Sequence, residues 1–237
     1  MTTPDERKRR AAERATEFIA SGMVVGLGHG STAAFAVKRL AKLLSIGTLS
    51  DIVAIPCSDE VREMATTLGI PLTTLAEHPA IDLTIDGADE VDPKMNLIKG
   101  GGGALLREKV VARASRREII VVDQSKLSPK LGTRFALPVE VLPSAADAEA
   151  GFLRSTGADV SRRGGDAPFV TDSGNHILDC RFDGIDDPLD LARSLEERPG
   201  IADHGLFIGL TTDLIVAGPG GTHHFVRGQD WTAVISP

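Results

Sequence analysis

Three short segments of this 237-residue sequence combine glycines with charged or hydroxyl side chains: GLGHGST at 26–32, DGADEVD at 86–92 and KGGGGALLREKV at 99–110. Glycine has no side chain, so a ligand can approach its backbone N–H group closely. Carboxylates can carry protons, and a lysine can stabilise a developing negative charge. These residue types suit proton transfer next to a carbonyl group of a small anionic ligand.

The first segment stands between an apolar run and a helical pattern, where backbone N–H groups and a helix N-terminus can surround a phosphate. The dinucleotide pattern G-x-G-x-x-G fails because Ser31 occupies its third glycine position. The P-loop pattern fails because no lysine follows Gly30. We therefore expect a small phosphate at Ser31 and Thr32. A tight turn into a helix capped by Ser31 or Thr32 is the alternative.

The acidic segment places Asp86 and Asp89 at the end of a predicted strand. A calcium loop needs glycine at its sixth position and glutamate at its twelfth. Counted from Asp86 these positions hold Val91 and Leu97, which excludes a calcium loop. Open α/β sheets bind ligands at the carboxyl ends of their strands, so we expect both aspartates to face a ligand. A solvated acidic turn is the alternative.

In the third segment Lys99 precedes four glycines, and Glu108 follows within a helical pattern. Successive glycines are costly because each loses much backbone freedom on folding. We expect the lysine to neutralise an anion or polarise a carbonyl group, and the glycines to allow close approach of the substrate. A flexible surface connection is the alternative, although such a linker rarely leads directly into a well-patterned helix.

Composition narrows the class of protein. The formal charge of −7, from 26 basic and 33 acidic residues, argues against nucleic acid as the main partner but allows a small phosphorylated ligand. Cys57 and Cys180 belong to no motif, which is typical of a reducing cytosol. We find no signal peptide, membrane span or zinc spacing. The sequence thus predicts a cytoplasmic protein with no obvious metal site.

Strand-like and helix-like patterns alternate through the first half of the chain. This order predicts an α/β fold with a doubly wound, mostly parallel sheet of Rossmann-like type. After Gly132 the pattern changes to a strand at 136–143, a helix at 145–154, a hairpin at 167–182 and a helix at 186–200. We predict a catalytic domain of residues 1–131 plus 205–237, and a small α+β domain with an antiparallel sheet at 132–204.

The sequence resembles the ribose-5-phosphate isomerases of type A. Six motifs carry the resemblance in the family's order and spacing: GLGHGSTA, DGADEVD, KGGGGALLREKV, DQSKL, LPVEVLP and TDSGNHILD. The resemblance implies interconversion of ribose 5-phosphate and ribulose 5-phosphate through an enediolate, in the non-oxidative pentose phosphate pathway. It also implies catalysis without cofactor or metal, and a homodimer or homotetramer.

By position, the resemblance implies that Glu108 moves the proton between C1 and C2 and that Asp86 assists ring opening. It implies that Asp89 and Lys99 bind the sugar oxygens and stabilise the enediolate. Together with Asp86, Asp89 and Lys99, the implied substrate contacts are His29, Gly30, Ser31, Thr32, Gly87, Ala88, Gly100, Gly101, Gly102 and Lys126. Lys8 corresponds to a basic residue near the phosphate.

Two residues depart from the family pattern. His29 stands where the family usually has threonine, and Gln124 replaces a more common acidic or small residue. Two other functions stay open. An amino-sugar phosphate isomerase-deaminase would need a catalytic histidine that we cannot place. A non-enzymatic sugar-phosphate sensor would keep the phosphate loop but would not need Glu108. A purely structural module leaves the glycines unexplained.

Overall fold

The computed structural model describes residues 3–229. Six α-helices lie in this range: α1 (Pro4–Thr16), α2 (Ala33–Ser45), α3 (Asp59–Thr67), α4 (Leu105–Ala114), α5 (Ala146–Ser155) and α6 (Pro188–Glu196). Thirteen strands accompany them: β1 (Val24–Leu27), β2 (Val53–Pro56), β3 (Leu83–Asp86), β4 (Glu90–Val91), β5 (Leu97–Ile98), β6 (Glu118–Asp123), β7 (Leu137–Val141), β8 (Asp159–Arg162), β9 (His176–Arg181), β10 (Ile201–His204), β11 (Leu206–Phe207), β12 (Asp213–Gly218) and β13 (Gly221–Val226). None of the described helices is long and apolar enough to cross a membrane.

The chain divides into two compact units. The first unit contains the chain up to Ala88, Arg107–Lys126 and the chain from Leu210 onward. The second contains Asp89–Leu106 and Leu127–Gly209. The domain boundaries after residues 131 and 204 stay a prediction. The sequence places residues 89–106 in the larger domain, whereas in the structure they cluster with the second unit.

A six-stranded sheet forms the centre of the first unit, in the order β13-β12-β6-β3-β1-β2. All its neighbouring strands are parallel except β13, which runs antiparallel to β12. Strands β6 and β12 are buried along their whole length, as expected for parallel strands covered on both faces. The predicted α/β class with a mostly parallel sheet is confirmed.

Helices cover both faces of this sheet. Ala54 packs into a core with α1 and α2, whereas the next residue, Ile55, packs with Val111 of α4. Successive residues of a strand point to opposite faces, so the two clusters lie on opposite sides. Thr32 occupies the N-cap position of α2 but makes no side-chain cap hydrogen bond. The predicted cap position at Thr32 is therefore confirmed, but its hydroxyl group does not cap the helix.

The second unit contains an antiparallel sheet in the order β10-β7-β9-β8, with α5 and α6 packed in the same core. The predicted hairpin at 167–182 is wrong in its first strand. Strand β9 pairs with β8, and the segment before it contributes only an isolated bridge from Val170 to His176. Pro168 has no N–H group to donate to a ladder, which disfavours a strand at that position.

The motifs LPVEVLP and TDSGNHILD meet at Glu140. Its Oε1 accepts hydrogen bonds from Thr171 Oγ1 (2.8 Å) and Asn175 Nδ2 (3.0 Å). Burial raises the pKa of Glu140, although these two hydrogen bonds act against the rise. The turn at 171–175 therefore anchors the sheet of the second unit, and its polar residues are explained by structure.

A small sheet in the order β11-β5-β4 also belongs to the second unit, and sequence patterns did not predict it. Its strands are only two residues long, which is too short for a periodicity of two to be visible. Asp89 immediately precedes β4 and Lys99 immediately follows β5. The backbone N–H of Asp89 donates to Ile98 O over 2.9 Å, so this sheet positions both predicted site residues.

Candidate active site

Polar segments follow the carboxyl ends of four neighbouring strands in the first unit. The loop at 28–32 follows β1, Cys57 follows β2, Asp86 ends β3, and the short helical turn ending at Lys126 follows β6. These strands are parallel, so the segments lie along one edge of the sheet, where α/β folds bind ligands. The predicted phosphate loop, Asp86 and Lys126 thus share one edge.

Glycines bring the loop after β1 against strand β3. A Cβ atom on Gly26 would lie 1.8 Å from Thr84 Oγ1, and one on Gly28 would lie 2.2 Å from Asp86 Oδ1. Gly28 N–H also donates to Ile85 O over 3.0 Å. Both positions exclude any larger residue because real side chains do not make contacts this short. Gly26 therefore lets β1 approach Thr84, and Gly28 lets the loop approach Asp86.

Asp86 is 1% exposed and is held by backbone N–H groups. Its Oδ1 accepts from His29 N over 3.0 Å and from Gly87 N over 2.7 Å. Two donors on one oxygen fix the orientation of the carboxylate. A fixed carboxylate costs little reorganisation when it exchanges a proton with a ligand.

Glu108 lies in the first full turn of α4 and is 4% exposed. One oxygen of Glu108, one oxygen of Asp86 and Sγ of Cys57 all lie within 4.8 Å of one another. The structure thus brings two of the predicted catalytic residues together and adds a fully buried thiol. A thiolate and two carboxylates are ligands that zinc accepts, so these three residues could also hold a metal ion.

His29 joins the phosphate loop to the start of α3. Its Nδ1 lies 3.0 Å from Ser58 Oγ, and its Nε2 lies 3.8 Å from Glu60 Oε2. Ser58 Oγ also accepts from Val61 N over 3.2 Å, which caps α3. The imidazole that replaces the family's usual threonine therefore contacts the start of α3. The backbone N–H of His29 donates a hydrogen bond to Asp86.

Positive charge gathers at the N-terminus of α2. Lys8 Nζ donates to Ser31 Oγ over 3.0 Å, although 23 residues separate them in the chain. The first N–H groups of a helix carry partial positive charge, and no Thr32 hydroxyl caps them here. Beside this loop is a cavity of about 210 Å³, lined by Gly28, Gly30, Ser31, Ala34, Val37, Glu60, Val61 and Met64. The Lys8 ammonium group and the N-terminus of α2 suit a phosphate group, whereas the cavity itself is lined by four apolar side chains and the Glu60 carboxylate.

In the second unit the glycine segment forms a tight turn. Gly103 N–H donates to Gly100 O over 3.0 Å, and Gly101 N–H donates to Asp89 Oδ2 over 2.8 Å. The backbone φ angles of Gly100 and Gly103 are +103° and +85°, a region that favours glycine. A Cβ on Gly101 would lie 2.8 Å from Asp89 Oδ1. Gly101 and Gly102 are exposed, and these hydrogen bonds favour an ordered turn over the alternative of a flexible surface connection.

Lys99 is 2% exposed at the end of β5. Its backbone N–H donates to Gly205 O over 2.9 Å, and its Nζ lies 5.5 Å from the centroid of the Phe207 ring. An aromatic ring face attracts a cation at this distance, which helps to offset the cost of burying the ammonium group. Lys99 is thus placed for a fixed contact in a dry environment.

Sequence reasoning missed three residues that contact predicted site residues: Cys57, Ser58 and Arg163. Cys57 and Ser58 directly follow β2, so their position at a strand end was a usable signal. Arg163 contacts the glycine segment across 63 residues of chain, and no local pattern indicates such a contact.

Comparisons with known proteins agree on one family. Residues 53–221 match the family model of ribose 5-phosphate isomerase A (phosphoriboisomerase A). The chain is 56% identical over 223 residues to "Ribose-5-phosphate isomerase A" of Desulfatibacillum aliphaticivorans, covering 93% of this chain and 97% of that protein. Two solved structures are also similar. A D-ribose-5-phosphate isomerase in complex with phospho-erythronic acid has a TM-score of 0.93 at 40% identity, covering 95% of this chain and all 100% of that one. The ribose 5-phosphate isomerase of Plasmodium falciparum has a TM-score of 0.92 at 38% identity, with the same coverage of 95% and 100%.

Proposed function

Because the chain belongs to the ribose 5-phosphate isomerase A family, we propose that it interconverts D-ribose 5-phosphate and D-ribulose 5-phosphate. The reaction is part of the non-oxidative pentose phosphate pathway. The observation that carries the proposal is the pair of buried carboxylates, Asp86 and Glu108, whose oxygens lie within 4.8 Å of each other. An aldose–ketose isomerisation needs one group to assist ring opening and one to move a proton between neighbouring carbons.

Binding begins with the phosphate. Lys8, Ser31 and the first N–H groups of α2 offer one full positive charge, a hydroxyl group and a partial positive charge. Charge-assisted hydrogen bonds to phosphate are about twice as strong as neutral ones. A phosphate held there anchors the substrate at its fifth carbon and leaves the first two carbons for chemistry. Asp86 then assists opening of the furanose ring by exchanging a proton with a sugar oxygen.

Glu108 carries the isomerisation. It removes the proton from C2 of the open-chain aldose, the C2–H electron pair forms the C1–C2 double bond, and the carbonyl pair moves to O1. The resulting enediolate takes a proton at C1 from Glu108, while a proton passes from O2 to O1 and the carbonyl forms at C2. Because Glu108 is 4% exposed, little bulk water competes for the proton.

The enediolate carries a negative charge on oxygen, and Lys99 is the cation assigned to it. A fixed ammonium group in a site withdrawn from water stabilises such a charge more than a mobile one does. Asp89 binds a sugar hydroxyl and holds Gly101 N–H. The glycines leave room for the sugar next to the backbone.

The test is incubation of the purified protein with ribose 5-phosphate in deuterium oxide, followed by NMR of the product. We expect ribulose 5-phosphate as the product, and the deuterium found at C1 measures how often the buried Glu108 carboxyl group exchanges its proton with solvent before returning it. A sugar-phosphate sensor would shift the NMR signals of the bound ligand but form no ketose. Ribose 5-phosphate that stays unchanged and unlabelled after prolonged incubation contradicts the proposed activity.

Assembly and location are proposed on the family resemblance: a homodimer or homotetramer in the cytoplasm. Light scattering coupled to size-exclusion chromatography gives the mass of the particle, which we expect to be two or four times the chain mass of 25.0 kDa. A particle of one chain mass at all concentrations contradicts the proposed assembly.

A further inference from the structure

Arg163 holds the glycine segment by its carbonyl groups. Its Nη1 donates to Gly100 O over 2.9 Å and to Gly101 O over 3.1 Å. On the other side of the guanidinium, Nε and Nη2 donate to the two oxygens of Asp179 over 2.9 and 2.5 Å. The planar fork of arginine fits a carboxylate with two parallel hydrogen bonds, which lysine cannot reproduce.

The Asp179 carboxylate fixes the orientation of the Arg163 guanidinium, so that Nη1 points to the carbonyl groups of Gly100 and Gly101. The side chains of Arg163 and Asp179 are 18% and 24% exposed, so both are largely withdrawn from water. An ion pair in such a place is screened less than a surface pair. Both residues lie in the antiparallel sheet region of the second unit, which also contains the glycine segment.

The hydrogen bonds from Arg163 fix the direction in which the C=O and N–H groups of the glycine segment point. In a trans peptide the C=O and the following N–H point in opposite directions. Two carbonyl groups held by Arg163 therefore direct the N–H groups of Gly101 and Gly102 to the opposite side. The N–H of Gly101 points to Asp89 Oδ2, in agreement with this geometry. Without Arg163, the peptide between Gly101 and Gly102 would lose the hydrogen bond to its carbonyl group, and glycine allows both signs of φ, so a flip there has little steric cost. The peptide between Gly100 and Gly101 would keep its hydrogen bonds to Gly103 N–H and Asp89.

We propose that Arg163 is a positioning residue that keeps the peptide groups of Gly100–Gly102 in the orientation needed to bind the enediolate, and that Asp179 holds Arg163 in place. This inference rests on the proposed isomerase function. The residue does not touch the reacting atoms. It acts by keeping the N–H groups of the segment and the carboxylate of Asp89 in one arrangement before the substrate arrives, which lowers the reorganisation needed in the transition state.

The test compares Arg163→Ala, Arg163→Lys and Asp179→Asn with a matched control, Arg162→Ala. Arg162 is the neighbouring arginine, and its partner Asp147 is 97% exposed. Misplaced catalytic groups cost up to about a hundredfold in rate. We expect kcat to fall about tenfold to a hundredfold in Arg163→Ala, with KM changed by less than about threefold, because the phosphate contacts are untouched.

Arg163→Lys should recover part of kcat, since one ammonium group can still donate to a carbonyl, and Asp179→Asn should show a smaller loss. The control should keep both constants. An unchanged kcat in Arg163→Ala, or a rise in KM alone, would overturn the proposal. Equal loss in the control would show a general effect of removing charge and would also overturn it.

A second measurement does not depend on activity. Hydrogen exchange of the amides at 101–103 should accelerate in Arg163→Ala but not in Arg162→Ala. If the parent protein shows no isomerase activity, the proposed function fails, while faster exchange still shows that Arg163 orders the segment. If exchange stays the same, Arg163 does not hold the segment. Should Arg163→Ala not fold, Arg163→Lys and Asp179→Asn give the same comparison.

Discussion

Asp86 and Glu108 lie on different elements of the first unit, yet one oxygen of each lies within 4.8 Å of the other. Both are almost fully buried. Strand β3 ends with Asp86, and α4 presents Glu108 from one face of the sheet. Of two carboxylates at this separation, one can assist ring opening and the other can transfer the proton between carbons. We therefore expect different effects when each group is changed.

The variant Glu108→Gln should lose turnover by about a hundredfold to ten-thousandfold, the range for a general base. The amide keeps the shape of the side chain but cannot accept the C2 proton. Steady-state kinetics gives the loss, and calorimetric titration with substrate should show that binding survives. Glu63→Gln, which changes an exposed carboxylate of α3, is the control and should keep full activity. Full activity in Glu108→Gln would show that another group is the base.

Lys99→Met tests the cation assigned to the enediolate. Methionine keeps most of the volume of the side chain next to Phe207 but has no charge. Loss of a group that stabilises a transition-state oxyanion typically costs about a hundredfold to a thousandfold in kcat. We expect kcat to fall in that range. A change in KM with kcat intact would remove Lys99 from the chemistry and leave it a binding role. Lys38→Met, at an exposed position of α2, controls for removal of one lysine.

Lys8→Ala should weaken binding of the phosphate. A hydrogen bond to a charged group contributes about 1.5–3 kcal/mol, which corresponds to about a tenfold to hundredfold rise in KM. The measurement is the ratio of KM values for ribose 5-phosphate in the variant and the parent. Arg10→Ala removes an exposed cation from the same helix and should leave KM unchanged. Equal KM values in Lys8→Ala and the parent would place the phosphate elsewhere.

Acid stability should depend on Asp213. Burial alone would raise the pKa of this carboxyl group, but hydrogen bonds from Arg117, Thr212 and His224 and the nearby Arg117 charge lower it to about 2. A depressed pKa stabilises the folded state above the unfolded value, about 3.9, and this stabilisation is lost as the pH falls toward 2. Asp213→Asn should lower the free energy of unfolding at pH 7 and flatten its decline between pH 5 and 2.

Urea unfolding at a series of pH values measures this dependence. Asp183→Asn, which changes an exposed aspartate, should leave the slope with pH unchanged. The same slope in Asp213→Asn as in the parent would show that other carboxylates control acid unfolding.

Activity should persist after dialysis against a chelator, since the family resemblance implies catalysis without metal. The group formed by Cys57, Asp86 and Glu108 allows a sharp test of the opposite outcome. If chelation abolishes activity and zinc restores it, the prediction is wrong. In that case Cys57→Ala should prevent the restoration, because it removes the thiolate ligand. If the chelated parent and Cys57→Ala both stay active, catalysis needs no metal at this site.

Local residue patterns were sufficient to predict most of the strands and helices of the first unit. Apolar runs and helical periodicity predicted β1, β2, β3 and β6 with the helices between them, because each element there follows its own residue spacing. The strand-end rule then placed the phosphate loop and Asp86 on one edge. The pattern failed at 167–171, where an irregular segment with a single bridge at Val170 replaces the expected strand, and β8 at 159–162 pairs with β9 instead.

Sequence by itself determined the glycine positions, the charged residues beside them and the alternation of strands and helices, because backbone strain and periodicity are properties of neighbouring residues. Only the tertiary structure decided that Cys57 joins Asp86 and Glu108, that His29 turns to Ser58, and that Arg163 holds the carbonyl groups of the glycine segment. Those contacts join residues far apart in the chain. They depend on which faces pack together, and no local spacing contains that information.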